Sequence, residues 1–193
     1  EFWALNDLSL TINRGESIGL CGPNGSGKST FLKLIANVIY PTEGTLSVKS
    51  SVAPLLELGA GFHADLTGLE NIYMNGAILG MRISYIKSIV DSVIDFSGLD
   101  DFINTPVKKY SSGMKLRLGF SVAIHSHADI LLFDEILSVG DKEFKGKCMH
   151  KIDEMKSRKT MILVSHNENL LNSFSDRIIC MEKGRIVKET NRL

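Results

Sequence analysis

The hydrophobic positions of the first fifty residues change period several times. Leu8, Leu10 and Ile12 alternate with Ser9, Thr11 and Asn13, a period of two that predicts a half-buried strand. Arg14-Gly15-Glu16 reads as a turn, and Ser17 to Cys21 as a second short strand. A glycine-rich loop, Gly22 to Gly27, follows. Phe31, Leu34, Ile35, Val38 and Ile39 then fall on one face of a helix that must stop before Pro41, because the residue preceding a proline is biased out of the helical region. Gly44 to Lys49 and Val52 to Leu56 are further short strand candidates.

From about Thr67 to Ala123 the helical period dominates. Ile86, Ile89, Val90, Val93 and Ile94 share a face, with Lys87, Asp91 and Asp95 off it, and Ser97-Gly98 closes the helix. Thr105-Pro106 marks a break, and Ser111-Ser112-Gly113 opens a helix running to about His127. Ile130 to Phe133 and Met161 to Val164 are continuous apolar runs, as expected of strands buried on both faces of a parallel sheet. Arg177 to Met181 is a weaker third, and Lys183-Gly184 turns into Arg185 to Lys188. Strands alternating with helices predict an α/β sheet, with a helical block over 66–124 inserted beside it in a single domain, 1–193.

Composition narrows the class without naming a chemistry. Hydrophobic residues make up 44% and charged residues 23% of 193 residues, enough apolar material for a core. Lys plus Arg and Asp plus Glu both number 22, so the chain lacks the basic footprint of a nucleic-acid binder. No apolar run approaches the ~20 residues that span a bilayer, and no signal peptide opens the chain, so a soluble, cytoplasmic protein is expected. Cys21, Cys148 and Cys180 are odd in number and lack C-x-x-C spacing; they read as buried thiols, not as a disulfide framework or a zinc site.

Gly22-Pro23-Asn24-Gly25-Ser26-Gly27-Lys28-Ser29 fits G-x-x-x-x-G-K-[ST] between a predicted strand and a predicted helix, the context that a phosphate loop requires. Its glycines let backbone N–H groups turn around a phosphate, and the helix N-terminus adds further donors and a positive dipole end. Lys28 would reach the β- and γ-phosphates, Ser29 would ligate Mg²⁺, and Thr30 is placed to touch the α-phosphate. The loop alone leaves a kinase, a GTPase and a transport ATPase open. Ile130 to Phe133 ends in Asp134-Glu135, and side chains at the carboxyl end of a parallel strand face the ligand crevice. Asp134 would hold Mg²⁺ and Glu135 would polarise the attacking water, an arrangement suited to hydrolysis.

Together these residues resemble an ATP-binding-cassette (ABC) ATPase. Gly22 to Thr30 resembles its Walker A motif, Tyr110-Ser111-Ser112-Gly113-Met114-Lys115 a variant of its signature, and Ile130 to Glu135 its Walker B. Ser138-Val139-Gly140-Asp141 falls where the D-loop belongs, and Val164-Ser165-His166-Asn167 resembles the switch histidine. The stretches Leu55 to Phe62 and Leu66 to Tyr73 are similar to ATPase subunits of bacterial exporters of O-antigen, capsule or teichoic acid.

The resemblance implies a P-loop NTPase (RecA-like) core with a parallel sheet, a small antiparallel β part and an inserted helical subdomain. It implies ATP and Mg²⁺, with Glu135, His166 and Lys28 in catalysis. Ser111, Ser112 and Gly113 would cap the γ-phosphate of ATP bound to a second copy in a head-to-tail homodimer, with Asp141 crossing the interface. Phe2 and Trp3 are the candidates to stack on adenine, and Glu57 stands nearest to the position of the family's usual Mg²⁺-contacting glutamine. The implied partner is an integral membrane permease at the cytoplasmic face of the membrane, docked near 59–71, where Leu58, Phe62, Leu66 and Leu69 would either form an apolar pocket or simply pack the core of the helical subdomain; no nucleic acid is implied, and the polysaccharide need not touch this domain. A soluble ABC ATPase acting as a regulatory or mechanical clamp is the alternative. A small-molecule kinase explains neither the serine-led turn nor His166.

Overall fold

The structure is a computed structural model that describes residues 3–55, 61–135 and 141–191. By internal contacts it divides into two compact units. One comprises Glu1–Pro54, Asp129–Glu135 and Met155–Leu193; the other comprises Leu55–Ala128 and Ile136–Glu154.

The first unit is built on strands β1 (Ser17–Cys21), β3 (Ile130–Asp134), β4 (Thr160–Val164), β5 (Arg177–Glu182) and β6 (Arg185–Asn191). With β2 (Val52–Leu55) they form one sheet in the order β2-β3-β4-β1-β5-β6. The β3/β4, β4/β1 and β1/β5 pairs are parallel, and only the hairpin pair β5/β6 is antiparallel among the registers observed. The apolar runs read as doubly buried strands behave as such: Leu131, Leu132 and Phe133 are buried, as are Met161 to Val164. Helix α1 (Lys28–Ile35) contributes Phe31, Leu32 and Ile35 to the core, and α6 (Glu168–Phe174) contributes Leu171 and Phe174. Each such side chain contributes about 1.5–3 kcal/mol by leaving water.

Several expectations change. Residues 8–12 alternate in exposure as anticipated but pair with no strand among the described residues, and 44–49 form no strand either. The antiparallel part of the described sheet is instead the β5/β6 hairpin. Helix α1 ends at Ile35, so Val38 is exposed. Asn37 adopts a left-handed φ of 55°, its N–H donates to the Leu34 carbonyl, and the Val38 N–H reaches back to the Lys33 carbonyl. These are the two bonds of a Schellman ending, made here by asparagine in place of glycine. The cysteine reading is corrected. β1 and β5 pair in register with Cys21 opposite Cys180, and a disulfide joins them. Sequence spacing gave no sign of it because strand order, not chain order, makes the two residues neighbours. Cys148 remains a buried thiol, and burial pushes its pKa up to about 12.

In the second unit, α2 (Gly68–Ile78), α3 (Ile83–Ser97) and α4 (Ser112–Ile124) enclose a core of Ile72, Ile86, Val93, Leu99, Leu118 and Val122, among others. Gly98 closes α3 in the left-handed conformation, as the sequence predicts. Thr67 and Glu70 form a reciprocal capping box at the start of α2. Buried Asn71 then organises the preceding loop, taking the His63 N–H and donating to the His63, Leu66 and Thr67 carbonyls. Helix α4 stops at Ile124, short of His127, and α5 (Lys142–Met155) follows later in the chain.

Candidate functional site

Strand register sets the site. Leu20 on β1 lies level with Val164 on β4, which lies level with Asp134 on β3. One rung therefore carries the ends of three adjacent strands, and the residues just beyond it emerge on the same edge of the sheet. From β1 this delivers the glycine loop, from β3 Asp134 and Glu135, and from β4 Ser165 and His166. A cavity of about 610 Å³ opens there, lined by Asn24 to Thr30, Asp134, Glu135, Val164 and Ala4.

Gly22, Gly25 and Gly27 all have positive φ, 139°, 78° and 103°. A Cβ on Gly22 would lie 2.1 Å from the Met181 carbonyl oxygen, and one on Gly27 2.7 Å from that of Ala4, so the loop's course depends on glycine at both positions. Pro23 accepts the Ser26 N–H through its carbonyl. The Ser26 hydroxyl is buried with no hydrogen-bond partner, a free polar group inside a loop whose backbone curls around an open cavity. Gly27 caps α1 with no side-chain bond, leaving the helix N-terminus open to an anion.

Lys28, only 6% exposed, folds its ammonium back onto the Gly22 and Pro23 carbonyls at 2.8 and 2.9 Å. Ser29 donates its hydroxyl to Asp134 at 3.2 Å. Burial holds the Asp134 carboxyl above the usual range, and the neighbouring Glu135 charge adds to this, while Ser29, Lys28 and Lys33 oppose it. Glu135 sits at a left-handed φ of 55°, donates its N–H to the Val164 carbonyl, and meets His166 Nε2 with Oε1 at 2.8 Å. The Ser165 hydroxyl accepts the Asn167 N–H, and Asn167 caps α6, which fixes the backbone around His166. Hydroxyl and carboxylate oxygens at Ser29 and Asp134, a cradle of backbone donors and a buried lysine are the donor set that a Mg²⁺–nucleotide requires.

The other anticipated residues are not among those lining this cavity. Trp3 is 42% exposed and lines a separate cavity of about 420 Å³ with Tyr40 and Pro41; Ala4 and Thr30 line both cavities. Ser111 caps α4 by accepting the Met114 N–H at 3.2 Å, so Ser112 and Gly113 form an accessible helix start in the second unit. Asp141 accepts the Phe144 N–H at 2.9 Å at the start of α5 and pairs with Arg117. Phe2, Glu57, Leu58 and Ser138 to Gly140 lie outside the described residues. The sequence pattern places Ser165 and Asn167 beside His166 without giving them a role, and gives no sign of Arg117; the Asn cap before α6 is the one available signal for Asn167.

A mostly parallel sheet whose first strand runs through a glycine loop into a helix, with an acidic strand end two strands away, defines a P-loop nucleotide-binding protein. The chain belongs to the ABC transporter family, whose model matches residues 5–138. It is 46% identical over 187 residues to the O-antigen export system ATP-binding protein RfbB of Klebsiella pneumoniae, covering 96% of this chain and 76% of that one. It is also 46% identical to the teichoic acids export ATP-binding protein TagH of Listeria innocua, covering 56% of that protein. The fold matches a dimeric post-hydrolysis structure of the ATP-binding cassette MJ0796 bound to ADP and Pi, with a TM-score of 0.84 at 23% identity, covering 98% of this chain and 91% of that one.

Proposed function

We propose that this chain is the ATP-hydrolysing motor of an exporter for a cell-surface polysaccharide, working as a head-to-tail dimer beneath integral membrane permease subunits. The observation that carries the hydrolytic part is the convergence, on one edge of the sheet, of the glycine loop, the Ser29–Asp134 pair and the Glu135–His166 pair. The export part rests on relatives named for O-antigen and teichoic acid export. No described helix is long and apolar enough to cross a membrane.

In this reading the triphosphate displaces the Gly22 and Pro23 carbonyls from Lys28, whose ammonium then bridges the β- and γ-phosphates. Thr30 follows to the α-phosphate, and the loop N–H groups from Asn24 to Ser29 wrap the chain of oxygens. Ser29, Asp134 and Glu57 would hold Mg²⁺, and the metal would supply neutralisation of the phosphate charge. Glu135 orients the attacking water and accepts its proton, while His166, already in contact with Glu135, holds that carboxylate and faces the γ-phosphate. Ser111, Ser112 and Gly113 of the second copy close the far side, with Asp141 at the interface, Trp3 against adenine, and 66–124 as the helical subdomain.

The test is steady-state phosphate release from purified protein with Mg²⁺ and ATP. Lys28→Ala removes the charge that bridges the phosphates and should lower kcat/KM at least about 100-fold. Wild-type protein that releases no phosphate above a Lys28→Ala background overturns the reading.

A further inference from the structure

The last rung of the β1/β5 ladder is Cys21 opposite Cys180, and a disulfide closes it. Directly beyond it the chain turns into the glycine loop. Gly22 follows Cys21 and accepts the Lys28 ammonium on its carbonyl at 2.8 Å. Met181 follows Cys180, and its carbonyl packs so closely on Gly22 that a Cβ there would lie 2.1 Å from the oxygen. The β5/β6 register shifts between Cys180 and Met181, an irregularity that re-aims the backbone at this point. The turn after β5 backs the loop a second time: the Gly184 N–H donates to the Ser26 carbonyl at 3.0 Å, and the Ala4 carbonyl packs against both Gly27 and Gly184. The glycine loop therefore rests on the β5/β6 hairpin, and the disulfide is the covalent cross-link between them. All of these residues belong to one compact unit. Cys21 and Cys180 are half-buried, whereas Cys148 is buried.

We propose that the Cys21–Cys180 pair is a thiol–disulfide exchange site that sets the nucleotide affinity of the loop, and that its reactant is a dithiol. The proposal rests on the reading of the loop as a nucleotide site. One thiolate of the dithiol attacks a sulfur of the pair, the S–S bond breaks, and the released sulfur takes a proton. The second thiolate then attacks the mixed disulfide, closes the reagent's own S–S bond and releases the other cysteine, which is protonated in turn. The protein gains two electrons and two protons as a pair of thiols, and the dithiol is oxidised to a disulfide. With the cross-link intact, the foot of the loop is held against the hairpin before the phosphates arrive, so binding loses less entropy in ordering it. With the cross-link broken, only hydrogen bonds and packing hold the two together, and the nucleotide must order the loop itself. Linkage makes the effect reciprocal: nucleotide that prefers the oxidised form must oppose reduction by the same factor. A cross-link that serves folding alone has no such dependence on nucleotide.

The test is titration calorimetry of ADP with Mg²⁺ on the whole chain, air-oxidised and again after reduction by dithiothreitol. Thiol counts on denatured samples define the two states: Cys148 alone when oxidised, and all three cysteines when reduced. Reduction should weaken ADP binding about 3- to 10-fold. Cys21→Ser and Cys180→Ser should each bind ADP as the reduced wild type does, and dithiothreitol should change neither. Since a serine variant can fold poorly, the wild type is also equilibrated in a buffer of reduced and oxidised dithiothreitol. There saturating ADP should raise the ratio of disulfide to dithiol protein by the same factor as the affinity ratio, and Lys28→Ala at the same ADP concentration should show no shift. ADP binding that is equal or tighter after reduction overturns the exchange site, as does a disulfide-to-dithiol ratio indifferent to ADP, or an air-oxidised protein that still counts three thiols. A protein that binds no ADP in either state defeats the nucleotide reading of the loop itself.

Discussion

Glu135 is a non-glycine residue held in the left-handed region, a conformation that costs free energy and persists only where its surroundings enforce it. Those surroundings are the Val164 carbonyl, which takes its N–H, and His166, which takes its carboxylate. Glu135 was legible from the strand-end pattern and His166 from the family resemblance, but the pairing between them depends on β3 and β4 being neighbours, which periodicity alone does not say. Asp134 carries a prediction of its own. Burial raises its folded-state pKa above the unfolded value, so the folded protein holds a proton there more readily. This contribution to stability is complete at pH values below the ordinary carboxylate pKa and is lost as pH rises through the raised one. Asp134→Asn, which removes the charge, should therefore raise the nucleotide-free unfolding midpoint by about 1–3 °C at pH 7. Thermal scans across pH should show that gain fading near pH ~4. A gain that does not vary with pH would contradict the assignment of the shift to burial of this carboxylate.

Elements with strong periodicity or continuous apolar runs were readable: β1, β3, β4, α3 and the start of α4 fall where the pattern puts them. The end of α1 was not, because Asn37 makes the left-handed ending usually given to glycine. The capping box at Thr67 was written in the chain as Thr-x-x-Glu and went unused. Thr67→Ala should destabilise the protein by about 1 kcal/mol in denaturant titration. Asn71→Ala leaves the His63 N–H without its acceptor and removes one bond from each of three carbonyls that keep a backbone N–H, and should cost about 1–3 kcal/mol. The disulfide lay beyond sequence reading since it follows from strand order. In the folded protein an alkylating reagent followed by mass spectrometry should mark no cysteine before reduction, and Cys21 and Cys180 after mild reduction. Cys148 should stay unmarked until unfolding, because its buried thiol is held protonated.

Across the whole molecule, the glycine loop, the acidic pair and His166 lie in one compact unit and the serine turn in the other. The resemblance between 110–115 and the family signature supports a nucleotide shared by two copies, each supplying a part that the other lacks. That β1, β3 and β4 are buried parallel strands was legible from their apolar runs, while their order in the sheet was not; the sharing of a nucleotide between two chains is a proposal that rests on the resemblance of 110–115 to the family signature. Glu135→Gln separates binding from hydrolysis, since it keeps the shape of the side chain and removes the proton acceptor. The direct test is the solution mass of that variant by light scattering, with and without Mg²⁺ and ATP. The account predicts one chain without nucleotide and two with it, the pair lost when Ser112 is changed to a bulky residue. A Glu135→Gln protein that binds ATP stoichiometrically and still has the mass of a single chain would contradict it.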